Sequence, residues 1–157
     1  MLGLELAAAV RDGVGMDTSV CTATVPAVLF TPQKPLARAG EELAAEHLVH
    51  VHGLTLIARN LRVAHEDLRG ELDLVAQHAA SGLLVIGEVK TRSCATGNGA
   101  VEGLGERQRR RIRRMTAVLL AGGTLRARRV RFDLLTVDVH RRGAGAPGTL
   151  RHVPDAW

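Results

Sequence analysis

Two acidic residues and one lysine of this chain are spaced so that they could meet at one bound metal ion. Asp73 lies in the mainly apolar stretch 70–75, and Glu88 and Lys90 follow the apolar run Leu83–Ile86. Because a strand points alternate side chains to opposite faces, Glu88 and Lys90 share one face. If the two segments pair as a hairpin, Asp73 approaches Glu88. Two carboxylates can hold a hard cation such as Mg²⁺, which prefers oxygen ligands at about 2.0–2.1 Å.

The lysine would supply the remaining chemistry of a phosphodiesterase. An ammonium beside an acid pair can orient a water molecule or stabilise the charge that develops on a phosphate. Of the 21 basic residues only Lys34 and Lys90 are lysines. Arginine would be a poor substitute at this position, because its planar guanidinium group is broad and does not lose its proton. The alternative is that these charged residues form salt bridges on an ordinary solvent-exposed strand face. The apolar run before Glu88 favours the first interpretation, because charges that end a buried strand lie at the mouth of a core.

The elements that must position these residues are a helix, three strands, a second helix and one or two closing strands. Helical spacing of apolar residues predicts the first helix from Arg38 to its stop at Gly53. The predicted strands are 54–61, 71–77, 83–90 and 129–139, with an edge strand near 150–153, and the second helix is 106–121. The Gly-rich stretch 96–105 predicts a loop beside the site. This order predicts an α/β fold with a mixed central sheet of four to five strands flanked by helices.

Positive charge is concentrated in the last third of the chain. Residues 101–157 hold 13 of the 21 basic residues but only 5 of the 16 acidic ones. On the second helix Arg107, Arg110 and Arg114 form a stripe beside the apolar face, at about 100° per residue. These arginines, and Arg92 beyond the third strand, could contact phosphates without reading a base sequence. The alternative is a solvated helix face and an exposed strand end.

The two motifs resemble the signature of the YraN-like family of small bacterial proteins. They read Gly70-Glu71-Leu72-Asp73-Leu74-Val75 and Glu88-Val89-Lys90-Thr91-Arg92-Ser93, and the resemblance extends over residues 36–140. It implies the restriction-endonuclease-like PD-(D/E)xK fold, with Asp73, Glu88 and Lys90 as the catalytic triad. It also implies that Glu41, on the first helix, adds an acidic ligand. The chain departs from the family pattern at Gly87, where a bulky apolar residue is usual.

These observations predict a nuclease that uses Mg²⁺ or Mn²⁺ to hydrolyse phosphodiesters in nucleic acid. Asp73 and Glu88 would hold the metal with the Val89 backbone carbonyl and Glu41, while Lys90 would position or activate the attacking water. DNA is favoured over RNA as the partner, and a homodimer would suit the cutting of two strands.

Two other functions stay open. One is a catalytically inactive nucleic-acid-binding module on the same fold. The other is a scaffold that uses the arginine stripe on an acidic surface of a protein partner. Glu71, which shares the predicted face of Asp73, is either an outer acid that supports the metal ligands or a salt-bridge partner of a nearby arginine.

Length and composition predict one compact cytoplasmic domain. The length of 157 residues fits a single endonuclease-like domain over residues 36–157, preceded by a flexible extension over residues 1–35. No positive cluster precedes the apolar N-terminal residues, which argues against a secretory signal. No apolar run is long enough to cross a membrane.

The histidines predict no metal site. His47, His50 and His52 lie close together, but no cysteine or second histidine pair completes a zinc site at a recognised spacing. His152 has no partner that the sequence reveals. Cys21 and Cys94 indicate neither zinc binding nor a disulfide framework.

Overall fold

The protein is described by a computed structural model over residues 20–25, 36–94, 104–140 and 148–157. These described residues form one six-stranded sheet and two helices. In chain order the elements are β1 Cys21–Val25, α1 Leu36–His50, β2 Thr55–His65, β3 Leu68–His78, β4 Leu83–Cys94, α2 Glu106–Ala121, β5 Arg129–His140 and β6 Gly148–Val153. The strand order is β1-β6-β5-β4-β3-β2. Because β4 and β5 are parallel and the other neighbours antiparallel, the sheet is mixed, as predicted.

The hairpin of β3 and β4 is the part of the fold that positions the predicted site. Leu74 pairs with Gly87, and His78 pairs with Leu83 at the turn. Gly82 closes this turn with φ +67°, in the left-handed region that glycine tolerates best. α2 then crosses over the sheet, so that β5 lies parallel to β4.

α1 covers one face of the sheet. Its apolar residues at helical spacing are buried against alternate residues of the strands, as the amphipathic pattern requires. This core cluster consists of Leu43, Ala44, Ala45, Leu48, Leu54, Leu74, Ala76, Leu83, Val85, Val89, Leu135, Val137 and Leu150. α1 ends at His50, and Gly53, with φ +61°, redirects the chain into β2.

α2 covers the opposite face, and its bounds confirm the predicted helix. Ile112, Met115 and Leu119 are buried on one side of it, while its arginines lie outside the core. The cluster beneath α2 consists of Val63, Leu68, Leu72, Val75, Leu84, Ile86, Leu104, Ile112, Met115, Leu119, Leu125 and Leu134. Neither of the two described helices combines the length and the apolar character that crossing a lipid bilayer requires.

Gly87, where the chain departs from the family pattern, is a point of close packing on the α1 face. A Cβ atom at this position would lie 3.1 Å from Leu135 Cδ1 and 3.3 Å from Leu74 Cβ. A bulky side chain would therefore force neighbouring core residues to move. The glycine accommodates the core and does not face the side of β4 that carries Glu88.

Three features of the architecture differ from the prediction. The sheet has six strands rather than four to five, because β1 pairs with β6 within the segment predicted as a flexible extension. β2, β3 and β4 extend beyond the predicted strands, so that residues 63–65 belong to β2 and the connection to β3 is a short turn. Strand alternation would place Leu72 and Leu74 on one face, but they belong to different core clusters. The other residues of 1–35 and most of the predicted loop 96–105 lie outside the described ranges.

Candidate functional site

Asp73 and Glu88 lie opposite each other on β3 and β4, one position beyond the last paired residues of the hairpin. The backbone N–H of Val89 donates a hydrogen bond to Asp73 Oδ2 at 2.9 Å. This bond fixes the Asp73 carboxylate against the end of β4. Asp73 is half-buried and Glu88 is buried, with 7% of its surface exposed. The structure therefore brings the two predicted metal ligands together.

A local reversal of the strand faces occurs at Asp73. Leu72 faces α2, and so does Val75 three residues later, which breaks the strict alternation of a strand. On β2 the residue opposite Asp73 is Asn60, which has φ +50°, and asparagine is one of the few side chains that tolerate this region. Asn60 Nδ2 also donates to Glu41 Oε2 at 2.9 Å. This bond ties the acid of α1 to β2, the strand next to the one that carries Asp73.

Glu88 is held by two donors from different elements. Lys90 Nζ lies 2.8 Å from Glu88 Oε1, so the lysine and the acid share a face of β4, as strand alternation predicts. Gln108, in the first turn of α2, donates from Nε2 to the same oxygen at 2.6 Å. These contacts fix the orientation of the Glu88 carboxylate relative to Asp73.

The electrostatics of this cluster indicate an excess of negative charge. Burial, followed by the charge of Glu88, raises the pKa of Asp73 from 3.8 to about 7. The Val89 N–H opposes the rise, Glu41 adds to it, and Lys90 lowers it. Acids that repel one another in a partly buried position favour a bound cation, and an all-oxygen set suits a hard ion such as Mg²⁺ or Mn²⁺. The residues present thus fit the predicted metal.

An open cleft of about 580 Å³ lies in front of the acids. Asp73 and Glu88 line it together with cationic side chains of the strands and of α2, namely Arg62, Arg69 and Arg111. Glu71 lies at its mouth, half-exposed, with Oε2 3.8 Å from Arg62 Nε. Of the two roles predicted for Glu71, the structure places it as a salt-bridge partner.

The predicted arginine stripe lies in a neighbouring surface cleft. Arg107, Arg110 and Arg114 are exposed and line this cleft together with Arg111. Arg110 pairs with Glu106 at 3.5 Å, and Arg114 pairs with Asp67 at 3.4 Å. Exposed pairs of this kind are weak, so these guanidinium groups can exchange their partners for phosphates.

Arg92 is placed on β4, opposite Asp138 of β5. It is half-buried and belongs to the same strand face as Glu88 and Lys90 by alternation. A phosphate contact by Arg92 stays a prediction.

Three residues of the site were not predicted from the sequence. Gln108 gives no signal by type, since a glutamine in a helix is ordinary. Arg111 lines both clefts and donates to the Arg69 carbonyl; helical spacing places it beside Arg107 and Arg114, but the predicted stripe omitted it. Asn60 lies in the interior of β2. The sequence signal for its special role was that asparagine is unfavourable in a strand.

A second cluster of ligating side chains lies on the α1 face and corrects the expectation that the histidines have no metal role. His47, His52 and His152 bring one ring nitrogen each within 4.8 Å of one another, so they could together hold a metal ion. The sequence missed it because His152 is 100 positions from His52. Burial, with the charges of His152 and His52, lowers the pKa of His47 to about 3.

Asp133 lies behind this cluster and is fully buried. His152 Nε2 lies 2.9 Å from Asp133 Oδ2, and Arg131 donates to the same carboxylate at 2.7 and 2.8 Å. Burial alone would raise the pKa of Asp133, but these hydrogen bonds and the arginine charge outweigh burial and lower it. His152, for which the sequence revealed no partner, thus has two.

The fold and the two clusters define an α/β protein with a carboxylate-lined cleft at one end of a mixed sheet. The chain belongs to the Uncharacterised protein family UPF0102, whose sequence profile matches residues 40–137. This confirms the predicted YraN-like membership. The matched range contains the acids, the lysine and α2, but not His152.

Relatives from several organisms carry the same family name. A UPF0102 protein of Mycolicibacterium smegmatis is 42% identical over 106 residues, which cover 68% of this chain and 82% of the relative. One of Frankia casuarinae is 40% identical over 122 residues, covering 78% and 95% of the two chains. One of Mycobacterium tuberculosis is 36% identical over 118 residues, covering 75% and 88%.

Proposed function

We propose that this protein is a metal-dependent nuclease, and that it has the restriction-endonuclease-like fold. The observation that carries the proposal is the acid pair: Asp73 and Glu88 lie opposite each other at an open cleft, and burial and repulsion raise the pKa of Asp73 to about 7. Because burial and the charge of Glu88 disfavour the ionised form of Asp73, a bound cation would stabilise the pair. Family membership and the order of helices and strands agree with the same fold.

In this proposal each residue of the site has a separate role. Asp73 and Glu88 hold Mg²⁺ or Mn²⁺ together with Glu41 and the Val89 carbonyl. The bound ion supplies polarisation of a phosphoryl oxygen. Lys90, whose ammonium lies 2.8 Å from Glu88, orients the attacking water and offsets negative charge on the phosphate.

The arginines would hold the nucleic-acid backbone. Arg107, Arg110 and Arg114 lie in the cleft next to the acids, and Arg111 lines both clefts. A duplex seated on these residues would present its phosphates toward Asp73 and Glu88. Such contacts give affinity without sequence specificity and a steep dependence on salt. Duplex DNA is therefore the substrate proposed, and the predicted homodimer stays a prediction.

The test is cleavage of end-labelled duplex DNA with Mn²⁺ or Mg²⁺, comparing the wild-type protein with Lys90→Ala. Removal of the lysine should lower the rate by roughly 10²–10⁴-fold and leave binding within about twofold. Glu71→Gln is the matched control, since Glu71 is an exposed acid two residues from Asp73, and this variant should cut normally. Unchanged cleavage by Lys90→Ala would falsify the role of the lysine.

A nucleic-acid-binding module that does not cut is the second candidate. It is favoured by the cleft arginines, because their contribution to binding does not depend on the acids. Calorimetric titration with Mn²⁺ separates the two functions. A nuclease should bind Mn²⁺ in a manner that Asp73→Asn abolishes. A protein that binds DNA but neither binds Mn²⁺ nor cuts would be the binding module.

A further inference from the structure

Three imidazoles converge on one point of the α1 face, remote in sequence from one another. His47 lies in the last turn of α1, His52 in the turn before β2, and His152 on β6. The ring centroids are 4.7 to 5.3 Å apart, and the ring planes are 70 to 90° apart. The rings are therefore arranged around a common centre instead of being stacked.

Hydrogen bonds among the three imidazole rings cannot account for both of the short nitrogen–nitrogen distances in this cluster. His52 Nε2 lies 3.2 Å from His47 Nε2 and 3.0 Å from His152 Nδ1. An imidazole nitrogen offers either one N–H or one lone pair in the ring plane, so a single nitrogen can form one good hydrogen bond and not two. Two ring nitrogens that both lie within 3.2 Å of His52 Nε2 are better explained by a cation shared among the three rings.

The partner of His152 sets its tautomer for metal binding. Since Asp133 accepts from His152 Nε2 at 2.9 Å, Nε2 carries the proton and Nδ1 presents its lone pair to the centre. Arg131, at 2.7 Å from the carboxylate, balances the charge of Asp133. A carboxylate behind a ligating histidine is the usual arrangement at protein zinc sites.

We propose that His47, His52 and His152 form a zinc site, with Asp133 as the residue that positions His152. Zinc–nitrogen bonds of about 2.0–2.1 Å in a tetrahedron place two ligand nitrogens roughly 3.3 Å apart. The separations of His52 Nε2 from His47 Nε2 and from His152 Nδ1, 3.2 and 3.0 Å, come close to this value. Neutral nitrogen donors favour Zn²⁺ over Mg²⁺. The half-buried His52 leaves the fourth position accessible to water.

The role of this site is structural. It joins the end of α1 to β6, an outer strand whose neighbours are β1 and β5. Asp133 belongs to the α1 face with Leu135 and Val137, whereas Glu88 lies on the α2 face with Ile86. The zinc site is thus separate from the proposed nuclease centre, and its existence does not depend on that proposal.

The test is Co²⁺ titration of the full chain, freed of any tag and stripped with EDTA, in excess Mg²⁺ to occupy oxygen sites. We expect one Co²⁺ per chain with the visible absorption of a low-coordinate nitrogen site, displaced by Zn²⁺. His52→Gln should abolish this spectrum. His50→Gln is the matched control, because His50 is exposed on the same turn, and it should bind normally. Asp133→Asn should weaken binding by roughly 10–100-fold.

Two measurements on the wild-type protein test the zinc site without depending on the folding of a variant. In the wild-type protein, Zn²⁺ should shift the ring nitrogens of three of the seven histidines in NMR spectra, without shifting those of His50, His65 and His78. Zn²⁺ at about 100 times Kd should also raise Tm by roughly 5–10 °C. Absence of Co²⁺ binding, equal binding by His52→Gln, or equal losses in His52→Gln and His50→Gln would each overturn the site.

Discussion

The raised pKa of Asp73 predicts an unusual pH dependence of stability in the metal-free protein. Between pH 3.8 and about 7 the folded protein keeps a proton on Asp73 that the unfolded chain has released. The free energy of unfolding therefore falls as the pH rises through this window. The loss is absent below about pH 4 and complete above about pH 7.

The magnitude follows from the size of the pKa change. One pKa unit corresponds to about 1.4 kcal/mol, so a rise from 3.8 to about 7 amounts to roughly 4 kcal/mol as an upper bound. Asp73→Asn removes the charge but keeps an oxygen that can accept from the Val89 N–H. From pH 5 to pH 7.5 the variant should therefore gain roughly 2–3 kcal/mol relative to the wild-type protein.

Urea denaturation in EDTA at several pH values between 5 and 8 measures this difference. The matched control is Glu71→Gln, which removes an exposed acid of the same strand and should give a curve parallel to that of the wild type. Excess Mn²⁺ should stabilise the wild-type protein at pH 7.5 and leave Asp73→Asn unaffected. If the curves of Asp73→Asn and the wild type run parallel, the acids do not repel one another as argued.

Two further predictions concern the arginine cleft and the helix–sheet contact. Arg107→Ala and Arg110→Ala should each reduce the slope of the logarithm of the duplex DNA binding constant against log [salt] by about one. The control is Arg126→Ala, which removes an exposed arginine after α2 and should change the slope little. Equal slopes in all three variants would contradict a role of the cleft. Gly40→Ala should destabilise the protein by about 1–3 kcal/mol, because a Cβ there would overlap Thr91 of β4. Thermal unfolding measures this, and an unchanged Tm would show that Thr91 can move aside.

The helices and the hairpin could be predicted because their signals are local. The apolar spacing of α2 and its flanking glycines give the observed bounds Glu106–Ala121. The apolar run of β4 and the turn at Gly82 fix the hairpin, and the hairpin in turn brings Asp73 to Glu88. Alternation then suffices to place Lys90 beside Glu88.

The sixth strand, the histidine cluster and the reversal of strand faces depend on contacts between distant segments, which local sequence patterns do not encode. β1 is a strand only by virtue of pairing with β6. His152 acquires its partners from the α1–β2 turn and from β5. The reversal of strand faces at Asp73 coincides with the left-handed conformation of Asn60 on the neighbouring strand, so Leu72 and Leu74 lie on different faces.

The position of Gly87 between the two clusters suggests why one small sheet could bind two kinds of metal. Gly87 pairs in register with Asp133 of β5, and its missing side chain lets Leu48 and Leu135 close over β4 on the α1 face. That face is packed with apolar side chains and offers imidazole nitrogens beside Asp133. The next residue, Glu88, points to the α2 face, where an open cleft offers oxygen donors. Donor type alone would therefore direct Mg²⁺ or Mn²⁺ to the acids and Zn²⁺ to the histidines, so the two ions should not compete in a mixed titration.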